Sequence, residues 1–247
     1  MTATEAQPKT AAQFTVQRDD LIRELAVVAK ASSHSKAIPV LSTVLLCADG
    51  NPIKLAASDL EISIQSSIEG AIEDEGGVCL PAKRLLDYVR ALPAGQVHFK
   101  TGANHWVSIT AARSKSRIAG MSADNFPALP EAPGEPTITL SADNWATMIK
   151  RAAYAISQEE SRFTLRGGLL IQQGEHAAIV TTDGHRLCMA RSEQAVGAFT
   201  KTIIPAGLLN HMGDLSGDIG LAITDAGLFL SAGERTMSTR RNTSRNW

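Results

Sequence analysis

The sequence lacks the marks of several protein classes. It has three cysteines, Cys47, Cys79 and Cys188, far apart and without a CxxC pair. That spacing excludes a disulfide framework and a cysteine-based zinc site, and it fits a reducing compartment. No apolar run approaches the roughly 20 residues that a membrane helix needs. Residues 1–13 are polar and rich in Ala and Thr. They have neither the basic start nor the apolar stretch of a secretory signal, and read as a flexible extension of a cytoplasmic protein. There is no positive excess: 24 Lys and Arg face 25 Asp and Glu, a net charge of −1. Nucleic-acid contact, if any, is therefore confined to one face. No HExxH, GxSxG or Walker-type phosphate loop occurs, and His98, His105, His176 and His211 are scattered. A lone Asp-x-His, Asp183 and His185, is too little for a metal centre, so no catalysis, metal or cofactor is expected.

What is present is a core. Hydrophobic residues make up 44% and charged residues 20% of 247, an ordinary globular balance with room for two domains of about 100–150 residues each. An internal repeat sets the division. Phe14-Thr15-Val16 runs into an amphipathic stretch from Arg18 to Ala31, and Ile138-Thr139-Leu140 into another from Ala142 to Ile156. The offset is 124, and it recurs downstream. Leu45-Leu46 matches Leu169-Leu170, Asp59 matches Asp183, Pro81-Ala82 matches Pro205-Ala206, and Leu85 matches Leu209. A long internal period governs the choice of fold.

Each copy also halves. Copy one reads as strand and helix followed by alternating strands over Val40–Cys47, Ile53–Ala57 and Glu61–Ile68. A second round follows: strand Val78–Leu80, helix Ala82–Ala91, then strands Val97–Lys100, Trp106–Thr110 and Arg117–Gly120. Asp49-Gly50, Gly102-Ala103 and Gln173-Gly174 sit where hairpin turns belong. The fold class is α+β: two tandem repeats, each of two βαβββ units, with helices on one face of antiparallel sheets. The segment Ala128–Pro136 carries prolines at every third position, 130, 133 and 136, which favours an extended connector. The domains are placed at 14–131 and 132–247.

Particular strings carry a family resemblance. They are Ile38-Pro39-Val40-Leu41; Ala57-Ser58-Asp59-Leu60-Glu61-Ile62; Leu80-Pro81-Ala82-Lys83; and Ser122-Ala123-Asp124-Asn125-Phe126-Pro127. In copy two they are Glu160-Ser161-Arg162 and Thr181-Thr182-Asp183-Gly184-His185-Arg186-Leu187. In this order and spacing the set resembles the bacterial β sliding clamps, the processivity subunits of DNA polymerase III, over residues 14–235. The resemblance implies the DNA-clamp fold, with sheets outside and helices lining a pore. It also implies a non-enzymatic role: tethering the polymerase to double-stranded DNA without reading sequence.

Family members carry three such domains and pair into a six-domain ring. The third has no counterpart in this sequence, and the second is read as ending early. Three readings follow from the resemblance: a non-encircling fragment, a short clamp closing its ring as a homotrimer, or a regulator that binds clamp-interacting peptides without encircling DNA. Arg235–Asn242 is too polar for a closing strand and is expected to be frayed or rearranged. Helix Ala206-Gly207-Leu208-Leu209 brings little positive charge.

The resemblance also assigns sites. A peptide groove for the polymerase III catalytic subunit and the clamp loader would use Leu165, Thr182, Gly184, His185, Arg186 and Leu187, with Arg162 beside it. DNA phosphates would meet Lys83, Arg84 and Arg90 on the second helix. Arg23 and Lys30 on the first helix, Lys150 and Arg151 on its counterpart, and Lys36 in the loop before Ile38 complete the set. Arg113, Lys115 and Arg117 alternate along a strand that ring closure would pair.

Overall fold

The computed structural model describes residues 12–33, 37–159, 165–213, 215–225 and 227–240. It divides into two compact units, Met1–Leu129 and Pro130–Trp247. No helix or strand forms between Asn125 and Ile138, the proline-spaced stretch.

In the first unit, β1 (Gln13–Gln17) leads into α1 (Arg18–Val28), then β2 (Thr43–Ala48), β3 (Ile53–Ser58), β4 (Ile62–Ile68) and β5 (Gly70–Asp74). The second half repeats the order with β6 (Gly76–Pro81), α2 (Ala82–Ala91), β7 (Gln96–Thr101), β8 (Trp106–Ala111), β9 (Ser114–Ala119) and the short β10 (Met121–Ser122). Three details differ from the sequence reading. Ala12 is buried and its carbonyl accepts from the Thr101 N–H at 2.9 Å, so Ala12 and Gln13 belong to the folded unit and not to an extension. Pro39–Ser42 forms a 3-10 turn, because Pro39 pre-sets the first helical φ. The strand expected from Val40 therefore starts at Thr43. β5 was not expected at all.

The sheets hold a larger surprise. Each βαβββ half was read as a unit, but its first strand joins the sheet of the other half. β1 pairs with β7, and the order is β5-β1-β7-β8-β9. β6 pairs with β2, giving β10-β6-β2-β3-β4. Phe14 of β1 stacks on its cross-strand partner Phe99 of β7, centroids 4.9 Å apart. Such a pair contributes about 1 kcal/mol beyond its buried area. Leu21, Leu25 and Val28 of α1 and Leu85 and Val89 of α2 are fully buried, as their helical spacing requires. Each such leucine contributes about 2 kcal/mol.

Two polar contacts fix the helices further. The Arg18 guanidinium donates to the Val89 and Arg90 carbonyls at 3.3 and 2.8 Å at the α2 C-terminus, where the Val89 carbonyl also accepts from the Leu92 N–H at 3.2 Å. Glu24 is buried on α1, and its carboxylate accepts from the Ser66 hydroxyl at 2.7 Å. A buried carboxylate without such a partner would be costly.

The second unit repeats the plan: β11 (Ile138–Ser141), α3 (Ala142–Ala152), β12 (Gly167–Gln173), β13 (His176–Thr182), β14 (Leu187–Ala195), β15 (Thr202–Pro205), α4 (Ala206–Met212), β16 (Asp218–Ile223), β17 (Gly227–Ala232) and β18 (Arg235–Arg240). First strands are again exchanged: β11 pairs with β16, and β15 with β12. Helix starts at Arg18 and Ala142, strand starts at Thr43 and Gly167, and helix starts at Ala82 and Ala206 keep the same 124-residue separation. β18 corrects the expected fraying. Its six residues pair with β17 from Arg235↔Ala232 to Arg240↔Gly227. Met237, Ser238 and Thr239 are buried.

Candidate functional site

The β13–β14 connection is built by its own side chains. Thr182 Oγ1 accepts from the Gly184 N–H at 3.1 Å and donates to the Arg186 carbonyl at 2.7 Å. Asp183 Oδ1 accepts from the His185 and Arg186 N–H groups, both at 3.0 Å, and its Oδ2 from Arg186 Nε at 2.9 Å. Gly184 sits at φ +91°, a left-handed conformation that glycine adopts without steric cost. This is an Asx turn, in which a short acidic side chain replaces backbone partners.

Charge follows from that geometry. The two backbone N–H bonds, from His185 and Arg186, hold the Asp183 carboxyl down at about 2, against an ordinary 3.8. A depressed carboxylate stabilises the fold fully above about pH 4, and the contribution is lost as pH falls toward 2. Asp183→Asn keeps an acceptor and removes the charge. Denaturant melts from pH 5 to 2 should therefore show wild-type stability falling more steeply than the variant's. Parallel curves would refute the assignment.

The turn is anchored to α3. Thr181 Oγ1 donates to the Ala152 carbonyl at 2.7 Å, and Cys188 Sγ to the Arg151 carbonyl at 3.1 Å. These carbonyls lie at the helix C-terminus, where intrahelical partners run out. The result is a rigid platform. From it Leu187 projects 64% exposed, with Met189, two residues on and so on the same strand face, 49% exposed. Tyr154, in the 3-10 turn Ala153–Ala155 that follows α3, is 56% exposed. The Arg186 guanidinium lies 5.2 Å from its ring centroid. A hydrogen bond to Cys188 raises the Tyr154 phenol above its ordinary 10.0.

The structure thus brings Thr182, Gly184, His185, Arg186 and Leu187 together in one turn. Leu165 is half-buried, and its carbonyl accepts from the Ser157 N–H at 3.0 Å. No hydrogen bond among the described residues joins it to the turn. Arg162 lies outside the described residues, as does Lys36. Met189 and Tyr154 were not anticipated. The period-2 alternation after Leu187 would have marked Met189, whereas only tertiary placement reveals Tyr154.

The first unit carries the same turn in closed form. Ser58 Oγ accepts from the Leu60 N–H at 3.1 Å, and Asp59 Oδ1 accepts from the Glu61 and Ile62 N–H groups at 2.9 and 2.7 Å. Leu60 takes the left-handed place of Gly184, at φ +76°. Ser63 stands where the repeat has Leu187, and is buried at 8% exposure. Only the second unit offers an apolar side chain at that strand position.

The proposed DNA-facing cations are placed as follows. Lys83 and Arg84 occupy the first turn of α2, exposed, and that turn holds no acidic residue. α1 and α3 carry Asp19, Asp20 and Asp143 at the same place. Cations at a helix N-terminus oppose the helix dipole, so helix stability does not explain them. Arg90, Lys150 and Arg151 lie in last turns, where the dipole favours positive charge. Lys30 ends the 3-10 turn after α1 and is exposed. Arg23 is neutralised locally by Asp20 and Glu24, each at 2.9 Å, the Glu24 bond first in raising its pKa.

Among the described residues no group of three or more His, Cys, Asp or Glu is arranged to hold a metal ion, and no helix is long and apolar enough to cross a membrane.

Comparison with known proteins adds the following. The model of the DNA polymerase III beta subunit N-terminal domain matches residues 12–130, and that of the central domain residues 139–241. The beta sliding clamp of Pseudomonas aeruginosa is 28% identical over 235 residues, covering 92% of this chain and 64% of that protein. The crystal structure of the sliding clamp from Bacillus subtilis superposes with a TM-score of 0.89 at 23% identity, over 96% of this chain and 66% of that one. The sliding clamp from Pseudomonas aeruginosa bound to griselimycin gives 0.84 at 26% identity, over 96% and 66%. The chain spans about two thirds of the length of these relatives.

Proposed function

The chain belongs to the DNA polymerase III beta subunit family, and on that premise we propose that it acts as a sliding clamp: a non-catalytic, cytoplasmic processivity factor tethering the replicative polymerase to DNA. The polymerase III catalytic subunit and the clamp loader dock through short linear peptides on the β13–β14 turn. Double-stranded DNA is met through phosphates alone, and self-association completes a ring.

The observation that carries this reading is the turn itself. It has rigid hydrogen bonding, an exposed Leu187 and a fixed Arg186, where the closed copy in the first unit has a buried Ser63. Apolar anchors with a few directional polar groups are what peptide grooves require. A relative of this fold is bound to griselimycin, and that compound is the probe for the groove here. Calorimetric titration should show saturable binding that a polymerase-derived clamp-binding peptide displaces. No binding of either would overturn the groove assignment.

The DNA arm rests on Lys83 and Arg84. Reversing both to Glu should weaken duplex binding equally across sequences and lower the log–log salt slope by about 2. Fluorescence anisotropy at several salt concentrations reads both quantities. An unchanged slope would remove α2 from the phosphate contacts.

A further inference from the structure

Residues 88 to 123 contain no Asp or Glu, in a chain where 25 of 247 residues are acidic. They form the end of α2 and the strands β7, β8 and β9. The register gathers the cations of this stretch. Lys100 on β7 faces Ser108 on β8, and Ser108 faces Arg117 on β9. In the next row His98 faces Thr110, and Thr110 faces Lys115. Phe99, Val107, Ile109 and Ile118 alternate with them and are buried, so both rows stand on the outward face of the sheet. Trp106 shares that face at the start of β8, 41% exposed. The guanidinium of Arg117, its diagonal neighbour across the strand pair, lies 5.3 Å from the ring centroid.

The charge on this face is not neutralised. Arg18, Arg23 and Arg186 each pair with a carboxylate at 2.7 or 2.9 Å. Lys100, Lys115 and Arg117 pair with none among the described residues. Glu73 and Asp74 belong to β5, at the opposite edge of the sheet. Four strand spacings, about 19 Å, separate them from β9, well beyond a Debye length of about 10 Å. Glu73 is also engaged by His98 at 3.4 Å. Unpaired cations with hydroxyls between them suit phosphates. An acidic peptide would use the charge and leave the indole idle. A single strand of nucleic acid uses both, since every base has a face to stack, whereas a duplex keeps its bases inside. Modules that hold unpaired bases on a sheet face work by the same combination.

We propose that the outward face of β7, β8 and β9 binds single-stranded nucleic acid, with Trp106 stacking on a base and Lys100, Lys115 and Arg117 meeting phosphates. The site is separate from the α2 cations and from the β13–β14 turn, and rests on neither. It uses side chains on the face of the sheet and leaves the backbone edge of β9 open to strand pairing.

The test uses the full chain and a fluorescein-labelled twelve-nucleotide oligothymidylate. Anisotropy titrations should show saturable binding with a log–log salt slope of about −2, the value for three phosphate contacts on a single strand. The unlabelled strand should quench the indole emission, to which Trp145, 1% exposed, gives no response. Trp106→Phe should bind within about threefold of wild type and lose the quench. Trp106→Ala should weaken binding about tenfold, the scale of one stacked base. Lys100→Glu with Arg117→Glu, both exposed positions, should reduce the slope by about 1.4. No binding, affinity unchanged in Trp106→Ala, or a full quench in Trp106→Phe overturns the proposal. Equal displacement by a twelve-residue polyglutamate overturns it in favour of an acidic peptide. Binding lost on reversing Lys83 and Arg84, yet kept in the variants of this face, overturns it in favour of α2.

Discussion

Leu187→Asp should remove the proposed peptide binding and leave the fold intact. The side chain is 64% exposed on a strand whose own hydrogen bonds run to Thr182 of β13 and onward. Replacing it changes no core contact, so the thermal midpoint should move by no more than about 2 °C, as for surface substitutions in general. Affinity is another matter. An apolar anchor seated on Leu187 would face a carboxylate that must stay hydrated. Truncating a central anchor contact costs about 2–4 kcal/mol, a loss of some 30- to 1,000-fold. Titration of the variant with a clamp-binding peptide, beside circular dichroism melts, separates the two effects. Retained affinity would exclude Leu187 from the groove. A collapsed melt would mean that the turn supports the fold more than its exposure implies.

The largest stability effect belongs to Gly168→Val. At the repeat position, β2 carries Val44, fully buried. The registers are equivalent: Val44 faces Leu80, and Gly168 faces Ile204. In β12 there is no room. A Cβ on Gly168 would lie 2.6 Å from Ile179 Cγ2 and 3.3 Å from Leu209 Cδ1. Both of those side chains are core residues. Its neighbour Gly167 is tighter still, with the Ile204 carbonyl 2.5 Å from the place a Cβ would take. Overpacking of this kind costs about 3 kcal/mol, which for two-domain chains of this size lowers a midpoint by about 10 °C. The converse change, Val44→Gly, should also cost about 3 kcal/mol, through a cavity and a freer unfolded chain. A neutral Gly168→Val would show that Ile179 can step aside, and that the two copies pack interchangeably.

These two sites also show where reading the chain succeeds and where it stops. Helix α2 was legible to the residue, because Pro81 sets its entry and Leu85 and Val89 repeat at helical spacing. The Asp-Gly pair at 183–184 announced a turn, and the family strings are the source of the peptide-binding role proposed for it. β5 escaped because Gly70-Ala71-Ile72-Glu73-Asp74 is poor in the β-branched and aromatic residues that mark strands. β18 was doubted for its polarity, yet Ser238 and Thr239 lie buried beside Met237. Strand formation there is decided by partners on β17, not by local composition. The exchange of first strands could not be read at all. It leaves the order of elements unchanged and alters only which distant strand each one meets. Tyr154 belongs to the same class: nothing within ten residues of it in sequence points to Arg186.

That exchange has a consequence for how the chain comes off the ribosome. Thr15 and His98, hydrogen-bonded across β1 and β7, are 83 residues apart, and Ile138 meets Leu221 over the same interval in the second unit. Neither half of a unit can close its sheet until the other half has been synthesised. In the first half α1 packs on β3 and β4 and β1 meets β5, but β1 lacks its other neighbour β7 until the second half is made. High contact order of this sort slows folding. It also ties the two halves of each unit together, because sheets draw strands from both. A half cut away from either unit would carry a strand of the other half's sheet and leave its own sheet incomplete.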